Sequence, residues 1–192
     1  MNLFKRNLVK KYFSKADLDG VGNAVAMAED YTSAEIRVKI VSKINKGLKG
    51  DIYKQAVLEF EKEGMTKTRD QTGVLILIAL KDKRFQILAD KGIMAKVKQE
   101  VLDKVANLIK TGFQSGKQKE GLCFAVGYLG GILGGVFPRK PDDKNELPND
   151  VVVETDGQKF WRGQKILTEG EAFEKLKPYG PEPDEPKKEE KK

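Results

Sequence analysis

Residues 73–80, Gly-Val-Leu-Ile-Leu-Ile-Ala-Leu, constrain this chain more than any other stretch. An unbroken apolar run of that length has no polar side to turn towards water. It reads as a strand covered on both faces. The flanking residues supply neighbours for it. Upstream, Ile52, Ala56 and Phe60 share one helical face up to about Gly64. Further upstream, Ile36, Val38 and Ile40 alternate with Glu35, Arg37 and Lys39. Period-two alternation predicts a strand near an edge or with one face partly open. Downstream, residues 81–83 form a tight turn into a third strand, "RFQIL", its hairpin partner.

Helices fill the remainder. Ser14 and Asp17 have capping-box spacing ahead of Leu18, Val21, Val25 and Ala28, which predicts a helix ending near residues 31–32. Val97, Val101, Val105, Leu108 and Ile109 predict an amphipathic helix over 95–111. A last helix over about 120–136 is stopped by Pro138. The first strand–helix–strand unit must be a right-handed parallel crossover. The expected class is therefore α/β: a small mixed sheet of three or four strands, a parallel β-α-β crossover plus a β-hairpin, with helices on its faces.

A length of 192 residues suits one domain with additions. The expected divisions are a basic arm (1–15), the α/β domain (16–140), a C-terminal appendage (141–180) and a charged, disordered tail (181–192). The appendage reads as a hairpin around Asp156 and Gly157 and a helix from about Glu169, with Trp161 as its packing anchor. The net charge of +7 is partly local, because residues 1–15 hold five basic groups and no acid. Such an arm suits a membrane surface or an acidic partner; no nucleic-acid motif accompanies it. Phe4, Leu8 and Tyr12 share a helical face there, as an interfacial anchor or as a first helix lying on the domain.

The chain has no histidine, which removes Ser-His-Asp triads, Cys-His pairs and imidazole metal sites. The single cysteine, Cys123, lies in an apolar helical stretch and reads as a small buried hydrophobe. What remains is acidic. If strands one and two run parallel and strand three returns, Glu35, Asp70 and Asp90 reach one rim of the sheet, with Thr66, Thr68 and Thr72 nearby. Oxygen ligands alone suit Ca2+ or Mg2+. The alternative is structural: Asp70 in a turn, Asp90 as a cap, Glu35 paired with Arg37 or Arg69. At the opposite rim, "NKGLKGD" offers Lys46 and Lys49 before a helix, but it fits neither phosphate-loop pattern.

Several stretches together carry a likeness: "FSKADL", "AEDYTSAEIRV", "GMTKTRDQTGVLILIAL", "RFQILADKGI", "GFQSGKQKEGL" and "FPRKPDDKNELPND". Over about residues 13–148 the chain resembles the TPM-domain family, in particular bacterial members without a signal peptide. The resemblance implies an αβα sandwich and a cytoplasmic location. It also implies the divalent-cation binding by acidic residues described for some members, which falls on Glu35, Asp70 and Asp90, and an acid phosphatase activity, as proposed for the plant member. Ala34 and Ala89 stand where glycine is usual in that family, and their methyls are expected to limit approach at the rim.

Two functions follow. One is cation binding at the acidic rim, with metal-assisted phosphoester hydrolysis as the reaction. The other is a non-catalytic adaptor or assembly factor that binds a protein partner or a membrane surface. Its candidate surfaces are the basic N-terminal arm and the last helix, where Gly127, Gly131 and Gly135 recur at four-residue steps, as do Gly130 and Gly134. Residues 121–137 are uncharged but span only about 25 Å as a helix. That is short of a bilayer core, so a buried helix is expected.

Overall fold

A computed structural model describes residues 7–154. Six helices and four strands follow in the order α1 (Asn7–Tyr12), α2 (Lys15–Glu29), β1 (Glu35–Val41), α3 (Ile52–Lys62), β2 (Gly73–Ala79), β3 (Arg84–Ala89), α4 (Lys91–Lys96), α5 (Gln99–Gln114), α6 (Gln118–Val136) and β4 (Val152–Glu154). The sheet order is β3-β2-β1-β4. β1 runs parallel to β2, with Glu35 opposite Gly73 and Val41 opposite Ala79. β3 returns antiparallel to β2, with Val74 opposite Ala89. The mixed α/β sheet with helices on both faces is the architecture that the alternating patterns predict.

The sheet separates two apolar layers. Ile36, Val38, Ile40, Val74, Ile76 and Ile78 face α2, α5 and α6, and Val9 and Phe13 join them from the N-terminal end. Thus α1 lies on the domain, with the Phe13 ring 6.1 Å from Phe113 of α5. Leu75, Leu77, Ala79 and Leu88 face α3, where Ala56, Val57 and Phe60 meet them. β2 is accordingly buried at every residue. The capping box forms as its spacing predicts: Ser14 Oγ accepts from the Asp17 amide at 3.1 Å, and Asp17 accepts from the Ser14 amide at 2.8 Å.

Three expectations need correction. β1 is not at an edge and has no open face: all seven of its residues are buried. It lies between β2 and β4, because residues 152–154 return to pair with it, Lys39 opposite Val152 and Val41 opposite Glu154. The helix predicted over 95–111 is two helices. Asp90 caps the short α4, and extended backbone at Val97 and Lys98 separates it from α5, which runs on to Gln114. Residues 152–154 thus belong to the main sheet. The hairpin around Asp156, the helix from Glu169 and Trp161 lie outside the described residues.

Helix α6 shows why its glycines matter. Gly121 and Gly112 bring α6 against α5: a Cβ built on either would lie within 2.7 Å of the other's Cα. Gly130 meets Ala28 of α2 in the same way, at 2.4 Å from its Cβ. At Gly135 a Cβ would meet nothing within 4 Å among the described residues. Gly121→Ala should therefore lower stability by about 1–3 kcal/mol through overpacking. Gly135→Ala should raise it by about 0.5 kcal/mol through helix propensity. Thermal or urea unfolding of the two variants checks the opposite signs.

Candidate functional site

The polar side chains of β1 point to the α3 side of the sheet and are buried there: Glu35, Arg37 and Lys39 are 5%, 3% and 1% exposed. Facing them at four-residue steps are Gln55 and Glu59 of α3 and Glu63, its C-cap. Lys39 Nζ lies 2.5 Å from Glu59 and 2.6 Å from Glu63. It also lies 3.3 Å from Glu154 of β4, which Lys62 holds at 2.6 Å. Burial opposes the Lys39 charge, but Glu59 and Glu63 outweigh it and hold the ammonium above the usual lysine range. The Arg37 guanidinium is pulled down by burial against the pull of Glu63, Glu29 and Glu35.

A strap formed by residues 142–150 crosses the N-terminal rim of the sheet and is tied to these groups. Glu35 Oε1 accepts from the Glu146 amide at 2.8 Å. Arg37 donates to the Pro148 carbonyl. Arg69 donates its amide to Glu146 at 3.1 Å and lies 3.4 Å from Asp142. Leu147 packs against the apolar layer under α3. The "NELP" motif thus acts as a clasp: an amide, an apolar anchor and a carbonyl in consecutive residues.

The topology brings Glu35, Asp70 and Asp90 to one rim, as expected from strand directions. The Asp90 amide donates to Gly73 O and the Gly92 amide to Gln71 O, both at 2.9 Å. The backbones crowd so closely that a Cβ on Gly92 would lie 2.4 Å from Asp70 O. Their side chains, however, part. Glu35 turns to the strap, Asp90 is buried and accepts from the Lys91 amide at 2.7 Å as the cap of α4, and Asp70 is exposed. Among the described residues no group of three or more Cys, Asp or Glu side chains is placed to hold a metal ion. The methyls of Ala34 and Ala89 point into the α2/α6 layer rather than across the rim.

Burial raises the pKa of Glu35, partly offset by the Glu146 amide, while the Glu146 and Asp143 charges add to the rise. Burial likewise raises Asp90 against the Lys91 amide. The strongest perturbation falls on a residue that the sequence did not single out. Glu29, at the end of α2, accepts from the Ile36 amide at 2.7 Å through Oε1. Its Oε2 is buried without a hydrogen-bond partner among the described residues, as is Glu35 Oε2. Burial pushes the Glu29 pKa up to about 8. The missed signal for the ion cluster was the Gln55-Glu59-Glu63 stripe opposite the alternating cations of β1. For Glu29, no pattern marks the burial.

A raised carboxyl binds its proton more tightly in the folded state. Its stabilising effect is therefore full below the unfolded value, near 4.5, and is lost as pH rises towards 8. Glu29→Gln, which keeps the acceptor for Ile36, should remove that loss. Between pH 5 and 8 the stability difference between variant and parent should grow in favour of the variant, by up to ~1.4 kcal/mol per pH unit. Urea unfolding across that range measures it, and parallel profiles would contradict it.

Comparison with known proteins agrees with this architecture. The family model described as the TPM domain matches residues 9–131. The solution structure of the BA42 protein from the psychrophilic bacterium Bizionia argentinensis is 34% identical, covers 74% of this chain and 96% of its own, and superposes with a TM-score of 0.68. The solution structure of the N-terminal domain of a protein from P.gingivalis is 17% identical, covers 66% of this chain and 79% of its own, and has a TM-score of 0.54, a likeness of fold. No curated protein sequence matches. The chain belongs to the TPM-domain family.

Proposed function

We propose that the rim formed by Glu35, Asp70 and Asp90 binds a divalent cation, Ca2+ or Mg2+, weakly. One observation carries this reading: Glu35 Oε2 is buried without a hydrogen-bond partner, and the strap acids Asp143 and Glu146 raise the cost of its charge. A cation near such a group stabilises its ionised form. The side chains as arranged do not make a closed cage, so the expected affinity is that of a weak site, with Kd on the order of 10⁻⁴–10⁻³ M.

The name of the matching family model refers to a phosphatase. A bound cation would supply Lewis-acid polarisation of a phosphoryl oxygen. The chain's own nucleophiles offer little: there is no histidine, and burial pushes the Cys123 thiol up, away from thiolate. Phosphoester hydrolysis is therefore the weaker part of the reading, and it depends on cation binding.

A second reading, a non-catalytic adaptor, is favoured by a different surface. Met27, Tyr31, Phe124 and Tyr128 are exposed large hydrophobic residues on α2, the turn after it and α6. No helix among the described residues is long and apolar enough to cross a membrane, so this apolar face does not belong to a spanning segment.

The cation reading is tested by amide NMR titration with Ca2+ and then Mg2+ on the parent and on Glu35→Gln/Asp70→Asn. Both substitutions remove charge while keeping an acceptor. Saturable shifts at residues 33–36, 68–74 and 88–93, weakened about tenfold or more in the double variant, are expected. A flat titration of the folded parent would contradict the site. Hydrolysis of p-nitrophenyl phosphate that does not depend on added cation would contradict the proposed link to phosphatase activity.

A further inference from the structure

The glycines of α6 divide into two stripes with different surroundings. Gly130 and Gly134 lie against Ala28 and Tyr31, at the α2 side. Gly127, Gly131 and Gly135 form the other stripe, where an added Cβ would meet nothing within 4 Å among the described residues. Glycine inside a helix costs about 0.5–1 kcal/mol relative to alanine, and no contact among the described residues offsets that cost here. Phe124 and Tyr128 share this outward face by helical spacing. Met27 and Tyr31 flank it from the α2 side. Phe124, Met27 and Tyr31 are 67%, 66% and 71% exposed. Between residues 121 and 137 there is no charged side chain.

We propose that this face is the interface of a two-fold symmetric homodimer. Its large residues and its holes are spaced to fit one another. If two copies of α6 lie antiparallel about an axis between Gly127 and Tyr128, each Phe124 falls over Gly131 of the other copy. Each Tyr128 then falls against Gly127 of the other copy. A surface that carries both the knobs and the matching holes is self-complementary, as an isologous contact requires. The large side chains offer roughly 500 Å² per copy at ~150–250 Å² for a wholly buried aromatic. Two copies would then bury about 1,000 Å², the lower limit for a specific interface. The face also avoids the chain's net charge of +7, which opposes self-association elsewhere. The inference deepens the adaptor reading and is independent of the cation reading.

The test is sedimentation equilibrium of the full chain without added cation, from low micromolar to near-millimolar concentration, with amide shifts followed over the same range. The expected result is a mass rising towards twice the monomer, with concentration-dependent shifts confined to residues 27–31 and 124–135. Gly131→Leu fills the hole at an open helix position, so it should fold normally yet weaken association at least tenfold; Phe124→Glu should do the same. A monomer at every concentration would overturn the proposal. So would a dimer that both variants leave unchanged, or shifts at the same residues produced by lipid vesicles while the chain stays monomeric.

Discussion

The structure depends on burying the charged face of β1. Three charged residues in a row of alternate positions would normally look towards water, but here α3 covers them on one side of a central strand. Ions removed from water must be paired, because the loss of a partner from a buried pair costs about 3–5 kcal/mol. The charges on β1 are accordingly answered from α3, β4 and the strap. Lys39 reaches α3 and β4, Arg37 reaches the strap carbonyls, and Glu35 takes the strap amide. Segments far apart in sequence are thereby tied to one strand, and the strap and β4 follow from that pairing rather than from apolar burial alone.

The same arrangement shapes the rim. Because the strap supplies an amide to one oxygen of Glu35 and leaves the other without a partner, the carboxylate is held but not satisfied. Glu29 stands in a similar state at the end of α2, where one oxygen accepts from the Ile36 amide of β1. Desolvated acids in this number cost stability, and their concentration at one end of the sheet is what distinguishes that rim from the opposite one. There, Asn45 caps a single 3-10 turn over Lys46–Leu48 and Arg84 ties down the Gly50 carbonyl at 2.7 Å, an ordered loop without buried charge.

The sequence made much of this legible. The run at residues 73–80, the capping box at Ser14 and the apolar face of α3 each specify an element through local pattern, and parallel pairing of β1 and β2 follows from the intervening helix. Where reading failed, the deciding contact was distant. Alternation in β1 predicted an exposed face because the pattern records polarity and not burial; the covering acids come from α3 and from Glu154, more than a hundred residues after β1. Asp90 read either as a rim ligand or as a cap, and its side chain does accept from the first amide of α4, but the apolar spacing obscured the boundary of that helix with α5. The rim was therefore predictable as a meeting of backbones, but the strap set the direction of Glu35 and the first amide of α4 set that of Asp90.

The most direct test of this account is amide hydrogen exchange on the parent and on Lys39→Met, measured under native conditions. If the buried lysine anchors β4, the variant should lose protection first at Ser42, whose amide donates to Glu154 O at 3.2 Å, while the Glu146 amide, bonded to Glu35, keeps more of its own. The amides of β2 should exchange only with the lowered global stability. Equal loss across the whole sheet, or unchanged protection at Ser42, would contradict the claim that the charged face of β1 holds β4 in place.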